Sequence, residues 1–205
     1  TLYPHQIHLV VGVVKYETNN RQRIGVASTY LAERAQLNVP EIPVFIVPSS
    51  FRLPQDNRAD IIMVGPGTGI APFRSFIQER KARQSTGQCW LFFGDQHEAT
   101  DDLYGDELED FVAKGYLTKV DKAWSRDQKN KVYVQDKILE NAEQVWQWIK
   151  KGAYFYVCGD AKRMAKDVDS VLQNIIQKQG NMDEKQTNAF IKQLKQQKRY
   201  QRDIY

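Results

Sequence analysis

The chain is poor in the residues that build metal centres and covalent cross-links: its 205 residues include two cysteines and three histidines. Cys89 and Cys158 sit far apart, each inside an apolar run, which argues against a structural disulfide. His5, His8 and His97 are scattered, so a zinc constellation has almost no material and no metal is expected. No apolar run approaches the roughly 20 residues that cross a bilayer, and Thr1-Leu2-Tyr3-Pro4-His5 lacks the layout of a signal peptide. The expectation is a cytoplasmic protein with no membrane partner. An excess of one charge is missing too. The 29 basic and 25 acidic residues leave a net charge of +4, too balanced for bulk nucleic-acid binding, so partners are to be sought through local charge. Internal repeats and low-complexity tracts are absent. What remains, 41% hydrophobic and 26% charged residues, is the composition of a globular protein of one or two domains.

Two styles of patterning divide the chain. Residues 8–15 are valine-rich and read as a strand, and 42–47 read as another. Between them Gly25-Val26-Ala27-Ser28-Thr29 opens a short helix, with Ser28 or Thr29 expected as its N-cap. Phe51-Arg52-Leu53-Pro54 closes this section, and the polar run 55–59 reads as a linker, which puts a domain boundary between 54 and 55. Thereafter apolar strands alternate with amphipathic helices, the pattern of an α/β parallel sheet. Strands are expected at 61–65, 88–94, 117–123 and 153–159. Helices are expected at 71–83, 104–114, 136–150 with a break near Asn141, 163–179 and 183–196.

Chemistry is concentrated where strands end. Gly65-Pro66-Gly67-Thr68-Gly69 follows a buried strand and opens a helix, the geometry of a pyrophosphate cradle, because glycines let the backbone approach a ligand and a helix start offers free N–H groups. The spacing matches neither the six-residue dinucleotide fingerprint nor the Walker motif. A tight strand-to-helix connection with no ligand is the competing reading. The segment from Ser125 to Gln135 gathers a hydroxyl (Ser125), a planar cationic fork (Arg126), a point charge (Lys131) and an aromatic ring (Tyr133). These are the groups that a 2′-phosphorylated adenosine needs. In an extended backbone Tyr133 and Gln135 would share one face and Val132 and Val134 the other. A solvated basic loop fits the same residues equally well. Cys158 ends a strand where open α/β sheets place ligands, yet a buried cysteine is more commonly a small hydrophobe. Asp167 suits a cofactor hydroxyl or a solvated helix face. Asp203 is a candidate for stabilising a positive nicotinamide or accepting a proton. Tyr205, an aromatic in a terminal stretch, carries little weight alone.

Four features occur together and in order: G-P-G-T-G-I-A-P-F-R at 65–74, S-R-x4-K-V-Y-V-Q at 125–135, Y-V-C-G-D at 156–160, and an aromatic at the end. In these the chain resembles the reductase portion of the diflavin reductases, within the ferredoxin-NADP reductase superfamily. W-L-F-F-G-D-Q-H at 90–97, A-W-S-R-D-Q at 123–128 and the ending K-R-Y-Q-R-D-I-Y resemble the branch of that family that serves a sulfite-reducing hemoprotein.

The resemblance implies a doubly wound parallel-sheet NADP(H)-binding domain at 55–205, with a tail shielding a flavin, preceded at 1–54 by a partial antiparallel β-barrel that binds FAD. It implies hydride transfer from NADPH to FAD, with electrons passing through FMN to a hemoprotein subunit. The partners would then be that hemoprotein and an FMN-binding domain of the same polypeptide. On matching positions, Ser125, Arg126, Lys131, Val132, Tyr133, Val134 and Gln135 would bind the adenosine end of NADP. Gly67 and Thr68 would line its pyrophosphate, and Asp167 would join the cofactor site. Cys158 and Asp203 would flank the hydride-transfer position, with Tyr205 stacked on the flavin ring where nicotinamide must enter. For FAD the matching positions are Val10, Val11, Gly12 and Tyr16, with the turn Gly25, Val26, Ala27 and Ser28 at a helix start. The family's R-x-Y-S flavin-binding segment is absent, as are its earlier barrel strands, its connecting domain and its FMN domain. Residues 1–54 therefore read as half a barrel with an open strand edge. Weak or absent FAD binding by this piece alone is expected, with a complete NADP domain. Two alternatives stay open: a nucleotide-binding module without turnover, and a reductase serving another hemoprotein.

Overall fold

The computed structural model describes residues 3, 5–39 and 42–205; Thr1, Leu2 and Pro4 of the N-terminal stretch read for targeting signals lie outside the described residues. The chain divides into two compact units, His8–Ser50 on one hand and Phe51–Tyr205 with Thr1–Ile7 on the other.

The smaller unit holds an antiparallel hairpin of β1 (Lys15–Thr18) and β2 (Arg21–Ile24), followed by helix α1 (Val26–Glu33). The hairpin turns on Asn19 and Asn20, both at positive φ (50° and 54°), a region that asparagine tolerates better than most side chains and that two-residue hairpin loops require. The expected strand at 8–15 is replaced by irregular chain up to Lys15, and 42–47 forms no strand among the described residues. Valine-rich sequence favours extension, but a strand persists only where a neighbour accepts and donates its backbone hydrogen bonds. The N-cap of α1 is Gly25 rather than Ser28 or Thr29. Those two residues lie three and four positions further on, and their hydroxyls donate back to the Gly25 carbonyl (3.3 and 2.6 Å).

The larger unit is built on a five-stranded parallel sheet. Its strands are β3 (Ile61–Val64), β4 (Cys89–Asp95), β5 (Lys119–Trp124), β6 (Tyr154–Gly159) and β7 (Tyr200–Ile204), in the spatial order β5-β4-β3-β6-β7. Helices α2 (Ala71–Ala82), α3 (Glu98–Asp101), α4 (Gly105–Ala113), α5 (Val134–Glu140), α6 (Ala142–Lys150), α7 (Met164–Gln179) and α8 (Glu184–Gln196) connect them. The break expected near Asn141 separates α5 from α6. The central strands β3, β4 and β6 are apolar up to Asp95 at the end of β4, because both faces of the sheet are covered.

Alternation sorts these side chains into two cores. Ile62, Val64, Trp90, Phe92, Phe155 and Val157 pack with Ile138, Val145, Trp148, Val168, Leu172 and Ile191, which come from α5 to α8. Ile61, Met63, Leu91, Phe93, Tyr156 and Cys158 pack with Phe73, Ile77, Leu108 and Phe111, which come from α2 and α4. Each fully buried Ile or Phe contributes about 1.5–3 kcal/mol relative to exposure. The sheet is therefore parallel, as the alternating pattern implied, and doubly wound, as the resemblance implied. Phe51 stacks on Phe76 with ring centroids 5.5 Å apart and meets Tyr156 edge-on, while the Arg52 carbonyl accepts from the Tyr156 hydroxyl (2.9 Å), so the chain from Phe51 onward belongs to this unit.

The hairpin strand β2, the short helix α3 and the last strand depart from the sequence pattern. The end of the chain, read as a tail, forms β7 and pairs in parallel with β6, Cys158 opposite Asp203 and Gly159 opposite Ile204. Among the described residues no helix is long and apolar enough to cross a membrane.

Candidate functional site

The carboxyl ends of β3, β4, β5 and β6 open into a cleft of about 570 Å³. It lies at the switch point of the sheet, where β3 leads to α2 on one face and β6 leads to α7 on the other, the place where open α/β sheets bind ligands. Gly67 and Thr68 line it on one side; Ser125, Tyr133, Val134 and Gln135 line it on another. Asp160, Asp167 and Tyr205 complete the set of lining residues that the sequence had singled out.

The glycine turn has specific backbone requirements. Pro66 is extended (φ −72°, ψ 151°), and Gly67 then adopts φ +55°, where a side chain would be strained. The chain makes a single 3-10 turn, Gly67–Ile70, and passes straight into α2 with Pro72 in its first turn. Gly69 packs so closely on the end of β6 that a Cβ there would collide with the Cys158 carbonyl oxygen. The turn is thus locked against β6, with Thr68 exposed to the cleft.

The Ser125 loop continues the β4–β5 ladder beyond both strands. Ser125 N–H donates to the Asp95 carbonyl and Arg126 N–H to the Gln96 carbonyl, both at 2.9 Å. The guanidinium of Arg126 projects from this loop, exposed, with no side-chain partner among the described residues. Lys131 is exposed as well, and the Tyr133 ring is 43% exposed at the cleft edge. The extended alternation expected for 132–135 does not form. Tyr133 is the last extended residue (φ −119°, ψ 170°), and α5 begins at Val134 because the Asp136 carboxylate accepts from the Tyr133 N–H (2.8 Å) and closes the first turn. Val134 is buried, Val132 packs against the same core, and Gln135 points to Asp167, donating from Nε2 at 3.4 Å.

At the end of β6, Asp160 accepts from the N–H groups of Lys162 (3.2 Å), Arg163 (2.8 Å) and Met164 (3.2 Å). These bonds, the Arg163 N–H first, hold its carboxyl below the usual carboxylate range. The start of α7 is thereby capped by protein, and the cationic group it offers the cleft is the Arg163 side chain. Tyr205 is fixed by its backbone, its N–H on the Gly159 carbonyl (3.1 Å) and its carbonyl accepting from Ala161 N–H (3.0 Å). Its hydroxyl lies 2.5 Å from Thr68 Oγ1.

Cys158 and Asp203 do not line the cleft. They face each other across the β6–β7 register, and Cys158 is 3% exposed in the core beneath α2. Burial, with the Asp203 charge adding to it, pushes the Cys158 thiol up to about 12.

Asp95, Gln96, Arg163 and Met164 also line the cleft and were missed. Asp95 and Gln96 stand at the end of β4, and Arg163 and Met164 at the start of α7, where only the assembled strand ends reveal that they share a cleft. Burial chiefly raises the Asp95 carboxyl, opposed by the Gln96 N–H.

The residues assigned to FAD lie in the smaller unit. Val11 is 46% exposed, Tyr16 56% and Val26 86%; Val10 and Gly25 are half-buried, and Gly12 and Ala27 are exposed. The Ser28 hydroxyl accepts from Val14 N–H (3.1 Å) and donates to the Gly25 carbonyl, so both of its roles are filled by protein.

Comparison with known proteins agrees with this geometry. The family model of the oxidoreductase NAD-binding domain matches residues 63–170, which run from β3 into α7, and the chain belongs to that family. Among curated relatives, the sulfite reductase [NADPH] flavoprotein alpha-component of Photorhabdus laumondii is 54% identical over 202 residues, 98% of this chain and 34% of that protein. The proteins of the same description from Mannheimia succiniciproducens and Vibrio cholerae serotype O1 (strain El Tor Inaba N16961) are each 51% identical over 201 residues, again 98% of this chain. The resemblance drawn from the ordered motifs therefore stands. The chain spans about a third of the length of these relatives.

Proposed function

We propose that this chain is the NADPH-binding reductase region of a sulfite reductase flavoprotein. It would take hydride from NADPH to FAD for delivery, through FMN, to the sulfite reductase hemoprotein that converts sulfite to sulfide. The observation that carries the reading is the cleft itself. A glycine turn borders it on one side and Ser125 and Tyr133 on the other, and the same loop carries two exposed cations outside the lining, Arg126 and Lys131, that have no partner among the described side chains.

This donor set fits NADPH. The 2′-phosphate is held by the fork of Arg126 and the charge of Lys131, with Ser125 adding a hydroxyl. Tyr133 offers its ring to the adenine, and Gln135 and Asp167 offer polar contacts beside it. Gly67 and Thr68 face the pyrophosphate, with Arg163 opposite as a further cation. When bound, the nicotinamide supplies the hydride. Tyr205 covers the inner end of the cleft and leaves Thr68 when the cofactor enters. Cys158 stays a neutral thiol, and Asp203 supplies the negative charge that favours a positive nicotinamide.

FAD is a different case. The residues assigned to it are largely exposed and do not by themselves enclose a flavin. That exposure favours a second reading, a nucleotide-binding module without turnover in the isolated chain.

Titration calorimetry with NADPH and NADH tests the cofactor assignment. Arg126→Ala is expected to weaken NADPH by about tenfold to a hundredfold, the equivalent of about 1.5–3 kcal/mol, and to leave NADH nearly unchanged. Equal losses with both nucleotides would mean that Arg126 does not read the 2′-phosphate.

A further inference from the structure

Two stretches about thirty residues apart in sequence, D-Q-H at 95–97 and S-R-D at 125–127, meet at the mouth of the cleft. The residue following Arg126 is Asp127, and its carboxylate is fully engaged. One oxygen lies 2.8 Å from His97 Nδ1. The other accepts from the Glu98 N–H at 2.8 Å. His97 is itself tied down, its N–H donating to Asp101 Oδ2 at 2.9 Å. Together with the backbone bonds from Ser125 to Asp95 and from Arg126 to Gln96, this stitches the Arg126 loop to the end of β4 on both sides of Arg126.

The pair is exposed, with 45% of the His97 side chain and 33% of that of Asp127 open to solvent. Exposed pairs of this kind contribute little to folding. Their placement says more. Asp127 puts a negative charge one residue from the cation expected to bind a dianion, which opposes binding unless that charge is directed away and compensated. The Glu98 N–H and His97 do both, and they hold the carboxyl below the usual carboxylate range.

We infer that His97 and Asp127 form a positioning pair for cofactor selection, which aims Arg126 at the 2′-phosphate and keeps the Asp127 charge from repelling it. The inference rests on the NADPH reading. Neither residue touches the nucleotide; both act through Arg126.

The test uses the 205-residue chain and two probes, 2′,5′-ADP and 5′-ADP, with dissociation constants from calorimetry and a thermal melt of each variant. Asp127→Ala and His97→Ala are each expected to lower the preference for 2′,5′-ADP by about tenfold, the effect of a lost or misdirected charge-assisted contact. Affinity for 5′-ADP should stay within about twofold and the melting temperature should hold. His97→Asn, which keeps a donor near the Nδ1 position, should restore most of the preference. A selective wild type whose preference is unchanged in both alanine variants would overturn the inference alone. So would equal weakening of both probes with a lowered melting temperature, the mark of a purely structural role. A wild-type chain that binds the two probes equally would overturn the NADPH reading, and the inference with it.

Discussion

Cys158 joins the two lines of reasoning that a strand-end cysteine invites, since it is buried like a core residue and neighbours an acidic group opposite it in the sheet. Its thiol and that of Cys89 are each pushed up to about 12 from an ordinary value of 9.0, in both cases mainly by burial. At neutral pH Cys158 is accordingly a neutral, polarisable group and not a nucleophile. The raised value has a consequence for folding. The unfolded chain releases the thiol proton near pH 9, whereas the folded chain holds it, so the contribution is fully present below about pH 9 and is lost as pH rises toward about 12. Removing the thiol should flatten the alkaline fall in stability by up to about 1.4 kcal/mol per pH unit. Urea unfolding of wild type and Cys158→Ala at neutral pH and at about pH 10.5 measures it. The stability gap between them should shrink at the higher pH. A constant gap would show that the thiol has the same proton affinity folded and unfolded.

Among the elements, β7 does most to position the site, and it owes its place to two residues at its start. Tyr200 is 4% exposed, and its hydroxyl donates to Asp169 Oδ1 on α7 at 2.8 Å. Arg199 reaches under α6 to donate to the carbonyls of Ile149 (2.5 Å) and Ala153 (3.1 Å). From that anchor the strand carries Asp203 to Cys158 and Tyr205 to Thr68. Tyr200→Phe removes the donor to Asp169 Oδ1, leaving Gln173 Nε2 on Oδ2 (2.8 Å), and is expected to cost about 1.5–3 kcal/mol. In hydrogen exchange the loss should appear as faster exchange along 200–205, with β3 and β4 protected as before. Uniform acceleration across the sheet would mean that β7 unfolds only with the whole domain. Nothing in K-R-Y-Q-R-D-I-Y announces a strand, because its pattern is polar and its pairing comes entirely from β6. The same logic explains the opposite error at 8–14 and 42–47, where extended propensity was legible but no partner strand holds it among the described residues. The strands β3 to β6 and most of the helices from 71 to 196 were legible because their burial is two-sided or amphipathic, and periodicity records burial. The Gly67 turn and the Ser125 loop were legible as chemistry. Arg163 and Asp95 were not, since an arginine or aspartate after a strand looks like any polar loop residue until the strand ends are brought together.

At the scale of the whole molecule the two units differ in kind. The larger has two continuous cores. Of the described residues in His8–Ser50, only Ser28 and Thr29 are buried, while Leu37, Phe45 and Ile46 are 91%, 87% and 83% exposed. Ordering a residue costs about 1–2 kcal/mol in backbone entropy, and with no buried apolar side chain the smaller unit has little to offset that cost. Its apolar residues are too many and too exposed for a finished surface, which suits a chain spanning about a third of its relatives' length. The positions assigned to FAD are drawn from this unit, and Val11, Tyr16 and Val26 share its exposure. A dinucleotide of that size needs most of its surface enclosed to bind tightly. The 205-residue chain, expressed and purified without added flavin, is therefore expected to carry no FAD by absorbance and to gain none in equilibrium dialysis at micromolar flavin, while it binds 2′,5′-ADP normally. Stoichiometric flavin would mean that His8–Ser50 folds further around the ligand than its burial implies, and the reading of a nucleotide-binding module without turnover would then give way to that of a self-sufficient reductase.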